Sequence, residues 1–464
     1  MLPYSGIHYL LFHYTKDPAL IMTSANLPGE PMIISNEEAF KRLRGVADYL
    51  LLHNRRIWAR CDDSVLRVID DHPTFLRRSR GYVPMPIGLP FSSPRRVVAV
   101  GPELTSTASI LKEDKCYLTQ HLGDIESPEA LDFLQEALRH LMKLLRVERP
   151  EAVACDLHPG FLSRAVASEL AEAAGAQLIE VQHHHAHLAS LMAESGIKAE
   201  DEIVGIVCDG YGYGSDGAPW GGEILVGGYT DFERVGHLEP QPMPGGDLCT
   251  YRYGRMLQGI LYGEVPEEEL RGFLSRNCLK GFALGEREIE MVFNQLERRI
   301  YTPMTTSAGR LLDAVSCLLG ISYTRTYEGE GAMKLEAAAE RGTPQPLGLP
   351  LEVEERRGRL VLKTSQMVRR LLELRDQHRM EDLAYAFQEA LAEGLAEMAL
   401  RVAEDRGLRV IGFTGGVAYN DMMTRIIHRR VEEREYRFLH HRRVPCGDGG
   451  LSLGQAAVAA LTTL

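Results

Sequence analysis

Paired cysteines are missing from this chain. Its eight cysteines, Cys61, Cys116, Cys155, Cys208, Cys249, Cys278, Cys317 and Cys446, are scattered, and no two form a Cys-x-x-Cys pair. That speaks against a thiolate zinc site. In a long chain it points to reduced, mostly buried thiols in a cytoplasmic protein. No apolar run reaches the ~18 residues of a membrane span, so no membrane role is expected. The opening Met1-Leu2-Pro3-Tyr4 has no basic patch leading into an apolar run, so no secretory signal is expected. Positive charge is short as well. With 52 Lys and Arg against 64 Asp and Glu the net charge is −12, a poor basis for gripping nucleic acid. No Gly-x-x-x-x-Gly-Lys-Ser/Thr occurs, which excludes a P-loop. What is present is ordinary globular composition, 45% hydrophobic and 25% charged over 464 residues. That length suits roughly three domain-sized units.

A proline-rich stretch, Pro84, Pro86, Pro90 and Pro94, reads as a linker, because proline stiffens the chain and removes donors. Residues 1–90 ahead of it form a short first region with a strand-like run at Ala19–Thr23. Residues 95–464 read as α/β. Strands are expected at Arg96–Val100, Ala108–Leu111 and Cys116–Thr119, then a helix at Pro128–Leu145. Strand Ala152–Asp156, helix Gly160–Ala173 and strand Gln177–Val181 follow. A second meander begins with Ile203–Cys208, Glu223–Tyr229 and Arg234–Leu238. Helices through 247–320 and a hairpin-like pair at Leu351–Lys363 come next. Helix Met380–Glu404, strand Arg409–Thr414, helix Tyr419–Glu432, strand Tyr436–His440 and helix Leu451–Leu461 close the chain. A meander followed by α/β units is thus given twice, in lobes of roughly 95–200 and 201–464. Two such halves facing each other across a cleft suit a nucleotide.

Val181-Gln182-His183-His184-His185-Ala186-His187 follows a strand directly. If a helix starts there, His183 and His187 share a face, since residues four apart are neighbours on a helix. Two imidazoles at that spacing can share a divalent metal, and a third ligand is needed. Asp209 in Cys208-Asp209-Gly210 and Asp448 in Cys446-Gly447-Asp448-Gly449-Gly450 are candidates. Mixed imidazole and carboxylate donors suit zinc or iron more than magnesium alone. The bland alternative is a polar surface turn. Gly212-Tyr213-Gly214-Ser215-Asp216-Gly217 fits Gly-x-Gly-x-x-Gly, but no helix follows, so it reads as a wide hairpin and not a dinucleotide fingerprint. Phe413-Thr414-Gly415-Gly416-Val417-Ala418-Tyr419-Asn420 is a strand, glycine pair and helix start whose amides favour an anion or nucleotide, or else a plain turn. Thr326–Glu336, with three acids and a lysine around two glycines, could grip a ribose or form a solvated turn.

Together these motifs resemble the hydrogenase-maturation carbamoyltransferase (HypF) family. The resemblance rests on Thr23–Pro31, Cys61–Arg67, Arg78–Pro84, His183–His187, Asp209–Gly217, Tyr327–Glu336, Gly412–Asn420 and Cys446–Gly454, and runs over essentially the whole chain. It implies a partial YrdC-like, carbamoyl-adenylate-forming domain at 1–90. It implies a Kae1-like transfer domain of the actin/hexokinase/Hsp70 nucleotide-binding fold at 95–464. The implied reaction uses carbamoyl phosphate and ATP with Mg, passes through carbamoyl-adenylate, and ends on the C-terminal cysteine thiol of a partner, HypE. That carbamoyl group is the precursor of the hydrogenase cyanide ligands. By resemblance His183, His187 and Asp448 hold one divalent metal, zinc or iron, with Asp209 beside it. Gly415, Gly416, Asn420 and Glu330 fall on the nucleotide side. Ser24, Asn26, Ser64 and Arg80 match the adenylate-forming site. The chain departs from the family in having no acylphosphatase domain and no paired-cysteine zinc fingers. The alternatives are an O-carbamoyltransferase or tRNA threonylcarbamoyl-type transferase of the same fold, or a nucleotide-binding module without turnover.

Overall fold

In a computed structural model, which describes Pro3 and residues 5–462, the chain forms two α/β lobes preceded by a smaller, loosely packed region. The Met1–Tyr4 stretch read for a signal lies, Pro3 and its backbone aside, outside the described residues.

The first lobe is built on strands β1 (Val97–Ala99), β2 (Ser109–Lys112), β3 (Lys115–Leu118), β4 (Ala152–Asp156) and β5 (Gln177–Val181). Its sheet runs β3-β2-β1-β4-β5, antiparallel through the meander and parallel from β1 to β5. The second lobe uses β6 (Ile203–Tyr213), β7 (Pro219–Gly227), β8 (Phe232–Leu238), β9 (Val410–Thr414) and β10 (Arg437–Leu439). Its sheet runs β8-β7-β6-β9-β10 with the same change of direction, and the hairpin pair Val353–Arg356 and Arg359–Leu362 extends it beyond β8. The same strand order and the same switch from antiparallel to parallel occur twice, which is the duplicated plan read from the sequence. β1, β4 and β6 are near-continuous apolar runs because helices cover both faces of the sheets.

Local chemistry sets the helices. Ser127 caps Pro128–Leu145 by accepting from Ala130 N–H, and Pro128 sits in the first turn, where its missing N–H costs nothing. Ala130, Phe133, Leu134, Ala137, Leu138 and Leu141 make its buried stripe. Helix Met380–Arg406 ends on Gly407 in the left-handed conformation and is buried along most of its length beneath the second sheet.

Three sequence readings are corrected. The stretch Ala19–Thr23 is not a strand; it is exposed and no neighbouring strand pairs with it among the described residues, and without a ladder β-propensity alone does not make a strand. The proline stretch is not a free linker. Ile87–Gly88 pairs with β3 at the sheet edge, and Ile87 and Leu89 are buried. Proline is tolerated there because an edge strand has spare N–H positions. The final helix, Leu451–Leu461, read with the second lobe, packs into the core of the first through Leu451, Leu453 and Ala456. Smaller shifts affect β7, which starts at Pro219 and not Glu223, and helix Asp421–Glu433, which follows a short turn of 3₁₀ helix at Gly416–Tyr419. Among the described residues no helix is long and apolar enough to cross a membrane.

Candidate functional site

β5 ends at Val181 and the chain turns into α1 (His183–Glu194). Gln182 caps this helix, its side-chain oxygen accepting from His185 N–H at 2.9 Å. The helix is buried throughout its first three turns, so its histidines are not a surface turn. They divide into two pairs. His183 and His187 lie on one face with ring centres 5.0 Å apart. His184 and His185 point elsewhere: His185 Nε2 reaches the Gly228 carbonyl at 2.9 Å, and His184 lies against Trp220. Burial pushes His184 well down, so it packs as a neutral ring.

Asp209 comes from β6, across the cleft. Its Oδ2 is 3.2 Å from His183 Nε2 and 3.1 Å from His187 Nε2. Asp448, in the loop before the last helix, places Oδ1 at 3.6 Å from both nitrogens. One donor atom from each of the four residues lies within 4.8 Å of the others. A tetrahedral ion with bonds of about 2.0–2.1 Å keeps its ligand atoms about 3.4 Å apart, and the four histidine–carboxylate distances, 3.1 to 3.6 Å, bracket that spacing. Burial acts to raise the Asp209 carboxyl, but hydrogen bonds from both imidazoles outweigh it and hold the group well below the usual range.

Glycine makes the close approach possible. A Cβ at Gly212 would stand 2.5 Å from His183 Cδ2. The Gly-x-Gly-x-x-Gly segment is a hairpin turn between β6 and β7, with Gly214 N–H bonded to Ala218 O at 2.9 Å, as the missing helix indicates.

The second glycine turn meets the same cluster. Gly416 N–H donates to Asp209 Oδ1 at 3.2 Å, and Gly415 N–H to Cys446 O at 3.0 Å. Asp209 therefore faces the histidines with one oxygen and the glycine turn with the other. Asn420 caps helix Asp421–Glu433, accepting from Met423 N–H at 2.9 Å and donating to Gln388 at 2.6 Å, so its amide is engaged. Glu330 opens helix Glu330–Ala339; its carboxylate accepts from Thr326 N–H at 2.6 Å and from Lys334 at 2.6 Å. It fixes its own loop.

In the first region the four residues form two local networks. Ser24 Oγ bonds Asn26 Oδ1 at 2.6 Å. Ser64 Oγ donates to Arg80 O at 3.0 Å, and the Arg80 side chain reaches Cys61 O at 2.6 Å and Asp63 at 3.2 Å.

Sequence reasoning missed Asp156. Its Oδ2 is 2.8 Å from His183 Nδ1, and both side chains are buried. The signal was available: Asp156 ends the strand expected at Ala152–Asp156 and leads into a turn, Leu157-His158-Pro159-Gly160, much as Asp209 follows the strand expected at Ile203–Cys208.

Comparison with known proteins settles the lineage. Residues 205–455 match the family described as "Carbamoyltransferase, Kae1-like Domain, second subdomain". Residues 92–194 match "HypF Kae1-like domain". The chain belongs to the HypF carbamoyltransferase family. Residues 1–79 match the Sua5/YciO/YrdC family, described as "Telomere recombination". A probable carbamoyltransferase HypF from Methanocaldococcus jannaschii is 42% identical over 462 residues, covering 99% of this chain and 58% of that protein. The crystal structure of T. kodakarensis HypF superposes with a TM-score of 0.93 at 42% identity, covering 99% of this chain and 59% of that one. A full-length HypF in its phosphate- and nucleotide-bound form gives a TM-score of 0.91 at 33% identity, covering 99% and 58%. The chain thus spans about 58% of the length of the HypF relative it matches.

Proposed function

We propose that this chain carries out the carbamoyl-transfer half of HypF chemistry. It takes the carbamoyl group of carbamoyl-adenylate and delivers it to the C-terminal cysteine thiol of a HypE-type partner, in the cytoplasm. The observation that carries the reading is the buried His183, His187, Asp209, Asp448 cluster joined through Asp209 to the Gly415–Gly416 turn.

The donor set fits a divalent metal. Two imidazole nitrogens and two carboxylates converge, and the mixture favours zinc or iron. His183, His187 and Asp448 would hold it, with Asp209 alongside. Bound there, a metal ion supplies Lewis-acid polarisation of a carbonyl oxygen. The chain's own residues do the rest. Asp209 fixes the glycine turn beside the histidines; the Gly415 and Gly416 N–H groups are bonded to Cys446 and Asp209, so the turn serves an adenylate by letting backbone approach closely and bringing its carbamoyl carbon to the cluster. Asn420 and Glu330 contribute by holding the helix starts that frame the nucleotide, since their side chains are already bonded within the protein. Thiolate attack on the carbamoyl carbon forms a C–S bond as the C–O bond to AMP breaks. Ser24, Asn26, Ser64 and Arg80 are assigned to the adenylate-forming step from carbamoyl phosphate and ATP with Mg, and residues 1–90 and 95–464 to the two stages.

The test supplies carbamoyl-adenylate and a purified acceptor ending in cysteine to metal-replete protein and reads the acceptor's intact mass. One added carbamoyl group, abolished by His187→Ala, is the expected result. An unchanged acceptor, with nucleotide bound to the protein, would sink the proposal that this chain transfers the group.

A further inference from the structure

We propose that Asp156 is the positioning residue of this centre: it fixes His183 so that Nε2, and not Nδ1, faces the metal. The inference rests on the metal reading above and concerns how the ligand is held.

An imidazole offers two nitrogens, and the partner of one decides what the other presents. His183 Nδ1 is 2.8 Å from Asp156 Oδ2, while its Nε2 faces Asp209 at 3.2 Å and Asp448 at 3.6 Å. Nδ1–H donating to Asp156 makes Nε2 the nitrogen that would give up its proton to take a cation. Asp156 is built for that task. It closes β4, an interior strand of the first sheet paired on both sides, and its side chain is 1% exposed. Its other oxygen accepts from His158 N–H at 2.9 Å, so the carboxylate cannot swing away.

Buried carboxylates are costly and are ordinarily matched by Lys or Arg. Among the described residues the ion-pair partner of Asp156 is His183. The arrangement is also one-sided. Among the described residues the ion pairs of His187 run through Nε2, and none involves Nδ1. Loss of Asp156 therefore loosens one ligand of the set and weakens the site without erasing it. The contact also ties the cluster to the first lobe's sheet, while Asp209 ties it to the second.

The experiment measures zinc affinity of the full chain by competition with a chromophoric chelator. Wild type, Asp156→Asn and Asp156→Ala are compared, with the visible spectrum of each cobalt-substituted form. Asp156→Ala is expected to bind zinc about 10–100-fold more weakly and to shift the cobalt bands. Asp156→Asn, which keeps an oxygen acceptor for Nδ1–H, should lose less. A folded Asp156→Ala with wild-type affinity and wild-type cobalt bands overturns the inference and leaves the metal reading standing. Wild-type protein that binds no zinc overturns both. If Asp156→Ala does not fold, the nitrogen-15 histidine spectrum of zinc-loaded wild type decides. Metal on His183 Nε2 with a far-downfield Nδ1 proton supports the inference, and metal on His183 Nδ1 refutes it.

Discussion

Glu223 is fully buried in β7, and Arg234 on the neighbouring β8 donates to its Oε2 from Nε at 2.6 Å. Gly221 N–H and the Thr306 hydroxyl complete its set, and the guanidinium stacks over Trp220, which backs His184. Arg234→Ala leaves that carboxylate buried without a cation and should cost about 3–5 kcal/mol in denaturant unfolding. Replacing both partners by leucine should cost less, because no buried charge remains. The two glycines beside Asp209 divide similarly. Gly415 has φ +95°, and a Cβ there would stand 2.2 Å from the Cys208 carbonyl oxygen, so Gly415→Ala requires backbone movement. It should lower stability by more than about 3 kcal/mol, beyond the cost of the conformation alone. A Cβ at Gly416 would meet only the Asp209 side chain, at 2.8 Å. Gly416→Ala should keep the melting temperature close to wild type and weaken metal binding. The reverse pattern would show that Asp209 and the glycine turn are not coupled.

The hairpin Val65–Ile69/His72–Arg77 joins the first region to the second lobe. Its two-residue turn places Asp70 and Asp71 at φ 51° and 61°, a left-handed pair that aspartate tolerates. Arg67 reaches Glu336 with two bonds, and Glu336 Oε1 also accepts from Asp421 N–H at 2.8 Å. Asp70 meets His428 at 2.6 Å, and Asp71 pairs with Arg425 at 3.0 Å. Glu336 is 5% exposed whereas Asp71 is open and Arg425 only half-buried, so the two contacts differ in weight. Arg67→Ala should free the hairpin locally by about 2–3 kcal/mol, read as faster amide exchange across 65–77. Arg425→Ala should change it by under about 1 kcal/mol. This hairpin was hard to read from the residues. Pro73 sits inside one strand, and proline argues against a strand wherever the neighbour is unknown. The helix carrying the histidines was legible for the opposite reason: a strand end and a four-residue histidine spacing agree at one place.

At the scale of the molecule, the doubled sheet was legible because the meander and its α/β continuation each carry a local pattern. The return of helix Leu451–Leu461 to the first lobe was not, since periodicity reports that a helix has a buried face and says nothing of which sheet buries it. That return brings Asp448 to histidines more than 250 positions earlier in the chain, so the site depends on both lobes being folded. Its acid limit then follows from buried groups elsewhere. Burial pushes His121 and His440 down to about 4. In the unfolded chain they titrate near 6.5, so between those values the unfolded state binds more protons. The contribution of these two histidines is complete above about 6.5 and falls as pH drops toward 4, by up to about 1.4 kcal/mol per unit for each. For Glu194 burial acts to raise the carboxyl, but His441 and backbone N–H groups hold it below its usual value, so its contribution disappears lower still. Through these two histidines the melting temperature should fall between about pH 6.5 and 4. His440→Gln, which keeps a donor toward the Ala418 carbonyl, should flatten part of that fall. A fall in His440→Gln as steep as in wild type would show that His440 takes up its proton in the folded protein as readily as in the unfolded chain.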